Sequence, residues 1–167
     1  MNFNRIALTM IQEIQTITSP FATSWEHVQG PGGNTSVKDA ATMLIKASGF
    51  TFQDVAQATG LVWVDHHQAL KNLVINGMDG SLENPPVAVL KSVPDGLKPS
   101  MEFGFHAALK KYVLHTHSVY VNVVTCCTNC ADLLKAIFPD TTYVLVPYVV
   151  PGHPLASYIY QKQAKGE

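Results

Sequence analysis

The residues best suited to chemistry cluster late in the chain. His115-Thr116-His117 sets two imidazoles two positions apart. On a β-strand that spacing turns both rings to the same face, so both can meet one metal ion. Glu102, thirteen residues earlier, supplies a carboxylate if the helix carrying it packs beside that strand. Two histidines and a carboxylate leave coordination positions open for substrate, as a catalytic metal site requires. The plain alternatives are two unrelated histidines on a half-buried strand and a Glu102 favoured by the field at a helix N-terminus.

A second candidate is the run Gly30 to Lys38, GPGGNTSVK. Glycines let a backbone approach an anion closely, and exposed N–H groups can cradle phosphate. The order of residues is neither that of a Walker loop nor that of a dinucleotide fingerprint, and a simple turn explains it equally well. Lys38 and Lys46 flank this region and suit either phosphate binding or a solvated strand. Cys127-Thr128-Asn129-Cys130 has the spacing of half a zinc ribbon, but no second pair exists, so buried thiols at a helix end are expected. His66-His67 is expected at the surface or as a cap. His106 stands where it can support Glu102 or simply pack. Tyr112, Tyr120 and Trp63 are expected in the core. His153 is placed in a turn.

These residues must be positioned by the elements around them. Ile6, Met10, Ile11, Ile14 and Ile17 recur at helical spacing, and Ser19-Pro20 ends that helix. Thr35 to Lys38 and Met43 to Lys46 predict a hairpin around Asp39-Ala40. A short helix over Thr51 to Ala58, a strand over Leu61 to Asp65 and a helix over His67 to Ile75 follow. Gly77 to Pro86 reads as loop. Ser100 is a good N-cap, with Glu102 in the first turn of the next helix. Tyr112 to Thr116 reads as a strand and Val119 to Cys127 as a buried helix. Leu133 to Phe138 reads as helix, Tyr143 to Val150 as a strand broken by Pro147, and Leu155 to Gln163 as a last helix. Helices and strands are interspersed, which predicts an α/β or α+β class.

The chain has 167 residues, one domain's length, and is expected to form a single domain over 1–167. Hydrophobic residues make up 47% and charged residues 14%, a globular composition. With a formal net charge of -1 and no basic stripe, nucleic acid is not an expected partner. No apolar run approaches ~20 residues, so no membrane span is expected. Three clustered cysteines make no disulfide framework, which predicts reduced thiols and a cytoplasmic location. The high apolar content suits a buried interface between subunits.

Taken together, GGNTSVK at 32–38, IKASG at 45–49, KPSMEFGFH at 98–106 and VLHTHS at 113–118 resemble, in order and spacing, the class II aldolase/adducin N-terminal domain family. The opening helix and PYVVPG at 147–152 also fit, so the resemblance covers nearly the whole chain. It implies a three-layer α/β/α fold with a mainly antiparallel central sheet. It implies a zinc-type divalent metal, a phosphorylated ketose of the fuculose, rhamnulose or ribulose type, and a homotetramer. By position, Gly33 and Asn34 would contact substrate phosphate or hydroxyls, Ser48 and Gly49 would form a second phosphate-binding turn, and Ser100 would contribute a third contact. Glu102 would be the proton donor and acceptor and a resting metal ligand, with His115 and His117 as the other ligands. The same site in the family serves aldol cleavage, epimerisation or dehydration, and an adducin-like member would be an interaction domain. Two departures stand out. Met101 replaces a second hydroxyl residue, and the family's third histidine ligand belongs to a His-Gly pair beyond the point where this sequence ends. The resemblance therefore predicts a shortened member with weak metal binding.

Overall fold

The structure, a computed structural model, describes residues 3–75 and 89–164. The loop expected over Gly77 to Pro86 lies outside the described residues. The opening amphipathic helix is α1, Phe3–Thr18, and a 3-10 turn at Ser19–Phe21 follows, where Pro20 removes a helical N–H. The expected hairpin is present as β1, Asn34–Lys38, and β2, Met43–Lys46. Asp39 closes its turn by accepting from the Ala41 and Thr42 N–H groups. Then come α2 (Phe52–Ala56), β3 (Leu61–Val64), α3 (His66–Ile75), β4 (Val89–Val93), α4 (Phe103–Ala108), β5 (Tyr112–His115), α5 (Val119–Thr125), α6 (Cys130–Ile137) and α7 (His153–Ala164).

The five strands form one antiparallel sheet in the order β4-β3-β2-β1-β5. Every residue of β1, β2 and β3 is buried because helices cover both faces. Val37, Leu44, Leu61 and Trp63 face α1 and α2, where they pack with Met10, Ile14 and Val55. Met43, Ile45, Val62 and Val64 face the other way, against Ala69 of α3 and Phe103 and Ala107 of α4. Alternation along each strand thus feeds two cores. α7 packs on α3 and α4, and it comes so close at Gly104 that a Cβ there would sit 2.9 Å from that of Ala156. The expected three-layer α/β/α fold with an antiparallel centre is the fold observed.

Several local expectations are corrected. β4 was not expected; its outer residues are exposed and show no clean alternation. Val119 to Cys127 is helical through Thr125 but not buried: Tyr120, Val121 and Val123 stand exposed. Tyr143 to Val150 forms no strand, and Tyr148 is 90% exposed. Tyr112 and Tyr120 are exposed rather than core, although Trp63 is buried. Cys126 and Cys127 are exposed, not buried. His66 is buried, its ring hydrogen-bonded to the Asp39 carbonyl, and His153 is buried at the start of α7. Among the described residues no helix is long and apolar enough to cross a membrane.

Candidate active site

The seam between β1 and β5 builds the site. Its register sets Asn34 opposite His115. Asn34, Ser36 and Lys38 share one face of β1, the face that meets α4. All three are buried, so each must find hydrogen bonds there. Asn34 Nδ2 donates to Ser100 Oγ at 2.6 Å and to Glu102 Oε2 at 2.8 Å. Ser36 Oγ lies 2.8 Å from Nδ1 of His106. The Lys38 ammonium donates to the carbonyls of His106 and Leu109. β1 therefore holds both ends of α4.

Ser100 does not cap the helix as expected. Its hydroxyl accepts from the Glu102 N–H at 3.2 Å, and Glu102 itself occupies the N-cap position. The Glu102 carboxylate reaches β5, with Oε2 3.1 Å from Nδ1 of His115. A carboxylate oxygen is an acceptor, so Nδ1 carries the proton of that bond and Nε2 is the nitrogen left for a further partner. The rings of His115 and His117 lie 4.9 Å apart. Behind them runs the glycine loop. A Cβ at Gly32 would lie 2.9 Å from His117 Nδ1, and one at Gly33 would lie 2.7 Å from the His115 carbonyl. Gly33 also has φ +67, so both space and backbone call for glycine there.

Charge follows geometry. Burial raises the Glu102 pKa, but the hydrogen bond and charge of His115 and the Asn34 amide outweigh it and hold the carboxyl at about 2. Burial pushes His106 down to about 3, so it stands neutral, with Nε2 lacking a hydrogen-bond partner among the described residues. Burial and then the neighbouring His115 lower His117. Burial also lowers Lys38 to about 8.

The expected site residues are brought together unevenly. Asn34, Ser100, Glu102, His115 and His117 form one contact cluster, with Gly33 against the His115 backbone. Ser48 and Gly49 are exposed at the end of β2. They are linked to the cluster through backbone: the Ser48 N–H donates to the Lys98 carbonyl and the Ser100 N–H to the Lys46 carbonyl. His106 does not bond the Glu102 side chain but Ser36, and Lys38 is spent on carbonyls rather than solvated. The pairing of Asn34 with Glu102 was not anticipated. Polar residues at every second position of the buried strand β1 are the signal that points to it.

A metal fits this donor set in chemistry: two imidazoles beside an ionised carboxylate. The geometry supplies the two histidines as a pair. Among the described residues no three His, Cys, Asp or Glu side chains converge as a metal-holding group; Glu102 Oε2 is bonded to His115 Nδ1. A carboxylate on the far nitrogen of a histidine is the arrangement that orients a metal ligand.

The profile of the Class II Aldolase and Adducin N-terminal domain matches residues 12–165. The chain belongs to that family. The sheet and site elements lie within the matched stretch. Among solved structures, the N-terminal class II aldolase domain of a conserved Thermoplasma acidophilum protein superposes with a TM-score of 0.75. It is 24% identical, over 90% of this chain and 74% of that one. YgbL from Klebsiella pneumoniae, titled a candidate aldolase/epimerase/decarboxylase, gives 0.63 at 21% identity, over 93% and 70%. YgbL from Escherichia coli gives 0.62 at 20% identity, over 92% and 70%. At these identities the likeness is one of fold. No curated protein matches by sequence.

Proposed function

We propose that this class II aldolase-family domain, a single unit over 1–167, catalyses reversible aldol cleavage of a phosphorylated ketose, with Glu102 as the catalytic acid/base. The reading is carried by one observation: Glu102 is fastened through Oε2 to Asn34 and His115, beside a second imidazole. Fixing one oxygen leaves Oε1 as the atom that moves a proton at the carbon next to the substrate carbonyl. His115 and His117 are the residues to hold a divalent metal, zinc being the best match to imidazole ligands. Such an ion supplies Lewis-acid stabilisation of the charge that develops on the carbonyl oxygen. Gly33, Asn34, Ser48, Gly49 and Ser100 form the seat for the phosphate, with the Asn34 amide turned inward to hold Ser100 and Glu102. Epimerisation or dehydration needs the same proton transfer, so the substrate decides among them.

The test is Glu102→Gln, assayed with ketose 1-phosphates alongside zinc titration. Zinc affinity is expected to stay while turnover falls on the order of 10²–10⁴-fold. Full turnover in this variant would remove Glu102 from the chemistry. A second reading, an adducin-like interaction domain, is favoured by the exposed apolar residues Tyr120, Val123, Val144 and Tyr148. Such a surface also suits a homotetramer. A metal-free, inactive chain that still self-associates in sedimentation would support the interaction reading.

A further inference from the structure

Lys46 ends β2 and is 1% exposed, one of the largest fully buried side chains in the protein. An ammonium removed from water is costly unless its donors are satisfied. Here all three are directed at carbonyl oxygens: Pro31 at 3.0 Å, Phe50 at 2.6 Å and Ala47 at 3.4 Å. Among the described residues no carboxylate lies within salt-bridge distance of it. Burial lowers its pKa to about 8, while Glu102 and Asp54 act from further away to favour the charged form.

The three carbonyls come from two separate loops. Pro31 belongs to the glycine loop that leads into Gly33 and Asn34. Ala47 and Phe50 bracket Ser48 and Gly49. A carbonyl oxygen facing an anion repels it, so a loop that seats an oxyanion must turn its carbonyls elsewhere. The buried ammonium collects three of them on the inner side of both loops and leaves a positive charge beneath.

We propose that Lys46 is a positioning residue for the anion-binding half of the site: it latches the Gly30–Gly33 loop to the Ala47–Phe50 turn and sets both to receive a phosphate ester or similar oxyanion. The inference rests on the reading of these loops as the phosphate seat. It assigns Lys46 no contact with the substrate and no proton transfer. It also separates the two halves of the site, since His115 ends β5 and His117 lies just beyond it, away from β2.

The experiment uses the full chain with Lys46→Met and Lys46→Arg. Inorganic phosphate binding and zinc binding are measured by calorimetry, and amide hydrogen exchange is followed across the two loops. For Lys46→Met, phosphate affinity is expected to fall about tenfold or more, as loss of charged hydrogen bonds entails. Zinc affinity is expected to hold. Exchange should quicken in residues 30–33 and 47–50 without a matching change in β3. Lys46→Arg, which keeps the charge, should recover part of the phosphate affinity; if Lys46→Met does not fold, the same comparison is made between Lys46→Arg and the parent. A folded Lys46→Met protein with parental phosphate affinity overturns the proposal. If the parent itself binds no phosphate, the phosphate-seat reading fails, and exchange decides the latch alone. Quickening confined to the two loops supports it, and uniform or absent quickening overturns it.

Discussion

In β1, β2 and β3 every residue is buried, while Tyr120, Val123, Val144 and Tyr148 are 59%, 70%, 60% and 90% exposed. The first region pairs most of its buried polar groups, although Asn34 Oδ1 has no hydrogen-bond partner among the described residues. Thr35 accepts from Thr18, Ser36 pairs with His106, and Lys38 and Lys46 spend their ammoniums on carbonyls. The second region presents apolar side chains on α5, α6 and the stretch up to Val150 with no such closure. Comparable apolar content thus has two fates. The central sheet is stable through its own contacts, whereas the later segment offers surface suited to another molecule.

The sharpest way to break this contrast is truncation. Leu44→Ala, at a site with no exposure, is expected to cost ~2–5 kcal/mol in urea denaturation. Val123→Ala and Val144→Ala should change stability by no more than about 0.5 kcal/mol. Equal losses at Val144 and Leu44 would show that the later segment is packed after all. Next in size is Ser36→Ala. It leaves the fully buried His106 ring without a hydrogen-bond partner among the described residues at either nitrogen and should cost ~1–3 kcal/mol by the same measurement.

Acid should distinguish the regions too. His106 falls from 6.5 to about 3 on folding, so the unfolded chain binds a proton that the folded chain refuses between those values. Stability therefore declines as pH drops through that window. Glu102, lowered from 4.5 to about 2, adds the same sign below pH 4.5. Lys38 and Lys46, lowered from 10.5 to about 8, make stability rise as pH climbs from 8 towards 10.5. Urea midpoints against pH should show both slopes, with His106→Gln flattening the decline between pH 6.5 and 4.5. An unchanged slope in that variant would mean another group carries it. The smallest effect on stability is expected for Tyr148→Ser, within about 0.5 kcal/mol. Dye binding to exposed apolar surface, or sedimentation, should nonetheless register its loss.

Local periodicity made much of this legible. The isoleucines of α1, the turn at Asp39 and the short apolar runs of β2 and β3 each settle their element from neighbouring residues alone. β4 escaped because an edge strand paired on one side and exposed at Val89 and Leu90 carries no buried-face pattern. Val119 to Thr125 and Tyr143 to Val150 misled for a related reason: apolar composition records what a segment can bury, not whether a partner is there to cover it. In the site, strand spacing led to the expectation that His115 and His117 lie side by side; the rings do lie 4.9 Å apart, but β5 ends at His115 and His117 follows it outside the strand. The bonds of Asn34 to Glu102 and of Lys46 to carbonyls were not, because the first joins residues 68 apart and the second ends on backbone atoms that every residue shares.

That separation of 68 residues has a consequence for assembly of the protein in time. The β1–β2 hairpin closes over a few residues and β3 follows after the short helix α2, so these three strands draw on near neighbours. β5 must travel back across the whole of the intervening chain to lie beside β1. Closing such a loop adds little to the equilibrium cost, about 0.6 kcal/mol per doubling of length, but non-local contacts of this kind slow the search. The order expected in pulsed hydrogen exchange during refolding is protection of Val62 before Leu114, and the reverse order would disprove it. A newly made chain would then pass through a stage with its central strands set and its reactive groups still scattered, and it would become competent in the closing step.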